Sequence, residues 1–257
     1  MKSRIVALLA ASIATVASGA PADDVAAAVR KLADAPNYTW TIATETIVSD
    51  TIGGVTSRYP SSEGPAEAKT EKNGYTLSTE RHRTATGGEF ITLRAMKDGK
   101  TVLQLPNGTW TRFEDLMEPV IAVGAMPASA GAPPPMAAPA TELALLVGKV
   151  KEFKSADGML SGEMSAFATT LLLRSAFGES PFPPLPPSSV HGVLRIWLKA
   201  GLPVRYEVRV DGALTTTDGN RRALENVETV EIKDVGSTKV DVPAEAKRLL
   251  AAIPGKG

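Results

Sequence analysis

Runs of alternating polar and apolar residues, cut by dipeptides that suit tight turns, constrain this chain more than anything else in it. Asn73-Gly74, Asp98-Gly99 and Pro106-Asn107-Gly108 separate runs rich in Thr, Val, Leu, Ile and aromatics between Lys69 and Phe113. Asn-Gly and Asp-Gly supply the positive φ angles of two-residue hairpins, so an antiparallel meander is expected, with strands over 90–96, 101–105 and 109–113. Gly87-Gly88 reads as a further turn or bulge. Upstream, Tyr38, Trp40 and Ile42 alternate with Thr39, Thr41 and Ala43, which predicts a strand with one aromatic face. Downstream, 193–198, 204–210, 227–235 and 239–242 predict four more strands, with Asp211-Gly212 and Asp218-Gly219 as turns.

Helical periodicity is confined to a few places. Val25, Ala28, Val29 and Leu32 recur at helical spacing behind Asp23 and Asp24, and Pro36 stops the run. A helix over 141–154 is expected from the stripe Leu143, Leu146, Val147, Val150 and Phe153. Another over 165–177 carries Phe167, Leu171, Leu172 and Leu173, apolar enough to predict burial. Between these two, 158–164 reads as a short strand, and 244–252 as a terminal helix. Residues 119–140 hold only Ala, Pro, Gly, Met, Val, Ile and Ser, without a charge. This insert reads either as a spacer or as a flap over an apolar cavity, with Met117, Met126 and Met136 as adaptable contacts. A proline run at 181–187 interrupts the chain again.

The first residues follow the order of an export signal: Lys2 and Arg4, an apolar run over 5–16, then Ala20-Pro21-Ala22. The expected division is a signal peptide over 1–22 and one β half-barrel domain over 23–257, exported to the periplasm or cell envelope. The apolar run is shorter than the ~20 residues a membrane-spanning helix needs, and no second run reaches that length. The chain has no cysteine, which excludes an acylated-cysteine anchor and any disulfide, so a hydrophobic core must hold the fold. With 28 basic and 28 acidic residues, the charge balance argues against a nucleic-acid partner. The densest basic cluster, Arg81-His82-Arg83, reads as a solvated strand edge, with a contact to an anionic lipid head group as the alternative.

Three stretches resemble a known family: Gly192-Val-Leu-Arg-Ile-Trp197, Gly201-Leu-Pro-Val-Arg-Tyr-Glu-Val208, and the tail from Glu231 to Pro243. Lys100 to Trp110 is similar more loosely. Together with the order of elements, they resemble the exported lipoprotein and lipid carriers of the LolA and LppX type. The resemblance implies an α+β fold: a strongly curved antiparallel sheet, or half-barrel, with helices packed in its concave face. It also implies acyl chains of a lipid or lipoprotein as the bound partner. The proline-rich inserts at Pro133 and Pro181 depart from the family pattern.

Enzyme chemistry has no visible carrier. Only His82 and His191 exist, and no zinc, calcium, phosphate-loop or nucleophile motif occurs, so neither a metal nor a cofactor is expected. The sequence therefore predicts a non-enzymatic protein that buries a hydrophobic ligand. Its lining is expected from Trp40, Trp110, Leu146, Val150, Phe153, Phe167, Leu171, Leu172 and Trp197. A periplasmic interaction or envelope-sensing module, receiving a protein partner along a sheet edge, is the alternative. His191 clustered with a carboxylate and a serine in one cleft would instead point to a hydrolase.

Overall fold

In the computed structural model the described residues are 21–83, 89–116, 137–177, 189–215 and 220–252. In chain order they form α1 (Pro21–Asp34), β1 (Asn37–Ile52), β2 (Val55–Glu71), β3 (Thr76–Arg83), β4 (Glu89–Lys97), β5 (Lys100–Gln104) and β6 (Trp110–Arg112). After α2 (Pro139–Val147) come β7 (Val150–Ala156), β8 (Met159–Met164), α3 (Ala166–Phe177), β9 (Val190–Lys199), β10 (Leu202–Thr215), β11 (Arg221–Lys233) and α4 (Ala244–Ala252). The segment 1–20, which carries most of the expected export signal, lies outside the described residues, and Pro21 and Ala22 open α1.

All eleven strands join one antiparallel sheet in the order β6-β5-β4-β3-β2-β1-β11-β10-β9-β8-β7. The chain lays one meander outward from β1 to β6 and a second inward from β7 to β11. The two meet where Thr39 pairs with Lys233 and Thr51 with Arg221. Because β6 and β7 are opposite edges and do not pair, the sheet is an open curved sheet and not a closed barrel. Among the described residues no helix is long and apolar enough to cross a membrane.

Strand alternation gives the sheet two unlike faces. On one, Trp40, Ala68, Leu160, Leu194, Ile196, Tyr206, Val208, Val210 and Val230 are buried beneath α1, α2 and α3. On the other, Arg195 pairs with Glu207 at 2.6 Å, Arg209 with Glu225 at 2.6 Å, and Lys233 with Glu231 at 3.0 Å. Exposed pairs of this kind add little stability, but they keep that face wet. At the β4–β6 end of the charged face, α4 lays Ala246 and Leu250 over Ala95, Val102 and Trp110, making a second, smaller core.

Several expectations are corrected. The helix expected over 141–154 stops at Val147, capped by Gly148, and Val150 and Phe153 belong to β7. A register shift between Val150 and Phe153 lets residues three apart in a strand face the same core, which imitates helical spacing. Pro139 and Ala140, assigned to the charge-free insert, form the first turn of α2, where a proline lacking its N–H costs nothing. Residues 117–136, which hold Met117, Met126 and Met136 and most of that insert, fall outside the described residues, as do Gly87-Gly88 and Asp218-Gly219. The expected strand 239–242 is irregular chain. Both sides of β11 are already taken by β1 and β10, so this segment is instead tied down by side chains: Asn37 Oδ1 accepts from the Thr238 N–H at 2.8 Å. Strand β2 has no counterpart among the expected strands; it carries Pro60 and Pro65, residues poorly suited to a strand paired on both sides. Among the described residues its register with β3 runs from Glu67 to Thr70, which leaves Pro60 outside that pairing, and Gly64 and Pro65 sit at the bulge opposite Ala43.

Asp211-Gly212 is not a turn but the interior of β10. Gly212 is there for closeness: a Cβ would stand 2.8 Å from Leu173 Cδ1 on α3. Gly192 on β9 meets α3 even more tightly, because Thr169 Oγ1 occupies the space a Cβ would need. These two glycines let α3 rest almost on the sheet backbone.

Candidate functional site

The hollow of the sheet under α1–α3 is the place where an apolar ligand could be held. Helix α1 contributes Val25, Val29 and Leu32, α2 contributes Leu143 and Leu146, and α3 contributes Ala168 and Leu173. Helix α3 starts at Ser165, whose Oγ accepts from the Ala168 N–H at 3.3 Å, an N-terminal cap. Ala168 and Leu173 face the core, while two large apolar side chains face water: Phe167 is 70% exposed and Leu171 48%. On α2, Leu145 is 64% exposed. Two of the three helices over the sheet thus carry exposed large apolar side chains, as do the strands at Ile52, Val55, Tyr59, Phe90 and Ile91.

Of the expected lining, the structure gathers Trp40, Leu146, Val150, Phe153 and Leu172 around the core under the helices. Trp40 donates its indole N–H to Thr70 Oγ1 at 3.0 Å. Phe167 and Leu171 belong to the exposed rim and are not buried as their helix pattern predicts. Trp110 is 5% exposed in the second core, on the opposite face. Trp197 is on that face too, with the Arg205 guanidinium 4.8 Å from its ring centre. Strand parity decides both cases: Trp197 is one residue from Ile196, and Trp110 lies opposite Gln104, two residues from Val102.

Sequence reasoning missed the polar groups in this hollow. Tyr206, fully buried on β10, donates to Glu142 Oε2 at 2.6 Å from beneath the first turn of α2. Glu142 in turn hydrogen-bonds Glu228 on β11. Burial, then the Glu142 charge and this hydrogen bond, push the Glu228 carboxyl up to about 8, so it keeps its proton at neutral pH. Burial also raises Tyr206 well above its usual range, reinforced by Glu142. Tyr38, raised by burial, accepts from the Ala140 N–H at 3.4 Å. Tyr206 and Glu228 lie at strand positions facing the apolar core, a polar insertion that alternation alone would have revealed.

Further along the same face, the register row Trp40, Ala68, Ser78, Arg94 crosses β1 to β4. Arg94 lies 3.2 Å from Glu80, with the two side chains 12% and 14% exposed. Of the basic cluster, Arg81 is exposed, and the side chains of His82 and Arg83 lie outside the described set.

His191 meets Asp211 at 3.4 Å on the charged face, with half of both side chains in solvent. Ser189 lines the adjoining cleft of about 230 Å³ with Asp211, Arg58 and Arg221. The contact is too long and too wet to hold an imidazole in one tautomer, which a catalytic triad requires. Among the described residues no group of three or more His, Cys, Asp or Glu could hold a metal ion.

Sheet and helices together define an open antiparallel half-barrel with helices in its hollow, the α+β architecture that the resemblance to LolA and LppX carriers implies. No protein family matches the chain, and no curated protein sequence does. Among solved structures it is similar to LprF from Mycobacterium bovis at 11% identity and a TM-score of 0.42, over 89% of this chain and 100% of that one. It is also similar to a DUF1329 family protein from Desulfovibrio piger, at 10% identity and a TM-score of 0.28, over 83% of this chain and 90% of that one.

Proposed function

We propose that this is an exported, non-enzymatic protein that carries acyl chains of a lipid or lipoprotein in the hollow between α1–α3 and the sheet. The observation that supports it is the rim: Leu145, Phe167 and Leu171 stand exposed on the two short helices over that hollow, while the opposite face is a ladder of ion pairs. Burial of a chain of ten methylenes is worth about 8 kcal/mol before the cost of association. Affinity then needs few polar contacts.

An envelope protein partner adding a strand to the sheet is the weaker reading. Edge strand β6 is three residues long, and edge strand β7 carries a bulge and Lys151, Glu152 and Lys154. Short, bulged and charged edges resist strand addition. The deciding experiment is native mass spectrometry of the mature protein purified from its envelope without detergent, before and after organic extraction. A stoichiometric lipid that extraction removes supports the carrier. A clean apo mass, with no uptake of added lipid, removes it and leaves the interaction module.

A further inference from the structure

Two donors on the helix-bearing face have nothing to donate to. Ser78 is fully buried, and its Oγ has no hydrogen-bond partner; opposite it in the β3–β4 register, the Arg94 Nε is buried and equally unpartnered. A buried donor left unmade costs about 1–3 kcal/mol, and native proteins leave few. Two on facing positions point to a partner that folding alone does not supply. The buried Arg205 Nε, by contrast, belongs to a guanidinium stacked on Trp197 on the other face.

The rest of the Arg94 head group defines what that partner is. Its Nη2 lies 3.2 Å from Glu80 Oε1 and 3.3 Å from Oε2. The Glu80 carboxylate already matches the positive charge, and the buried Nε–H is the part of the guanidinium that lacks a partner. A second carboxylate or a phosphate would bring an extra negative charge beside Glu80 in a site largely closed to water, which is costly. A plain hydrocarbon would leave both donors unmade. An uncharged carbonyl oxygen, with two lone pairs, satisfies both at once. Beside Ser78 in the register row stand Ala68 and then Trp40, both buried in the core of the hollow. The donors therefore lie at one end of the apolar face, where the polar end of a chain would come to rest.

We propose that Ser78 and Arg94 form the head-group subsite of the hollow, receiving an ester carbonyl of an acylated ligand. This rests on the carrier reading. The test is a fluorescence titration of the full mature chain with two probes: the methyl ester of parinaric acid, which has the carbonyl, and diphenylhexatriene, which has no oxygen. The wild type is expected to bind both. Ser78→Ala should weaken the ester about 5- to 10-fold, the scale of one buried hydrogen bond, and leave the hydrocarbon unchanged. Arg94→Lys, which keeps the charge for Glu80 but loses the Nε–H, should do the same. Thermal melts of the apo protein give the second readout. Ser78→Ala should melt at or above the wild-type temperature, because it deletes an unsatisfied group, whereas a hydroxyl needed only for folding would lower it.

Equal ester affinity in wild type and both variants overturns the subsite while leaving the carrier standing. Parallel loss of both probes in the variants also overturns it, since the residues would then be supporting the fold. If the wild type binds neither probe, the carrier reading itself fails. Parinaric acid as its anion should bind more weakly than its ester; tighter binding of the anion overturns the uncharged head group.

Discussion

Glu142, in the first turn of α2, takes a hydrogen bond from Tyr206 at 2.6 Å and shares another with Glu228, so one helix over the hollow is held to the sheet through a carboxyl pair. Two carboxyls at hydrogen-bond distance cannot both be charged in a largely dry site. One proton is therefore part of the docked structure.

That proton makes stability depend on pH. The Glu228 carboxyl is raised from an ordinary 4.5 to about 8 in the folded protein, by burial first and Glu142 second. Between those values the native state holds a proton that the unfolded chain releases. Its contribution is complete below the lower value and is lost as pH rises through the upper one. The unfolding free energy from urea titrations should fall from about pH 5 to about pH 9, by an amount on the order of a few kcal/mol. Glu228→Gln should be nearly flat over the same window and more stable than wild type at the alkaline end. Asp50 and Glu231, whose carboxyls are lowered by Arg222 and Lys233 respectively, work in the opposite sense, losing their contribution only as pH falls below the ordinary carboxylate range. Parallel curves for wild type and Glu228→Gln would refute this assignment.

Tyr206→Phe tests the same link from the sheet side. It removes the donor to Glu142 without changing the shape of the core, and should cost about 1–3 kcal/mol. The loss should be localised: hydrogen exchange of the α2 amides should speed up more than that of α1. Uniform acceleration across both helices would mean that Tyr206 supports the core and not the docking of α2.

The strands from β4 to β6, the first helix and the terminal helix were legible because each rests on a local signal. Asp98 and Gly99, both at positive φ between β4 and β5, are the kind of turn that such dipeptides announce. What was illegible rests on distant partners. Whether Trp110 or Trp197 faces the hollow depends on parity counted from a neighbouring strand, and aromatic character says nothing about parity. Val150 and Phe153 looked helical because a bulge changes the period locally. Glu142 and Glu228 are 86 residues apart in the sequence, and their coupling exists only once α2 docks on β11. Ser78 and Glu80 read as ordinary polar strand positions until the face they share with Trp40 is known.

The close seat of α3 yields a sharper test than hydrophobic truncation. Gly192→Ala places a methyl group where Thr169 already stands, an overpacking that should cost about 1–3 kcal/mol. Thr169→Ala removes the obstructing Oγ1 and Cγ2, so the double variant should recover a large part of that loss. A double-mutant cycle by chemical denaturation measures the coupling. Additive losses would show that α3 does not rest on β9 at this point.

Placement on the two faces makes the last prediction one of contrast. Phe167 lies on the exposed rim of α3, while Trp197 is held under Arg205 on the face away from the hollow. Phe167→Ser gives up little packing, since the ring is 70% exposed, and the melting temperature should stay near that of wild type. If acyl chains enter past this rim, uptake of a hydrocarbon probe should slow or weaken several-fold, at roughly 25 cal/mol for each Å² of apolar contact removed. Trp197→Ala should do the reverse, lowering stability through the lost stacking with Arg205 and leaving uptake intact. Were Trp197→Ala to abolish uptake while Phe167→Ser did not, the ligand would have to lie on the charged face, and the hollow under the helices would be core alone.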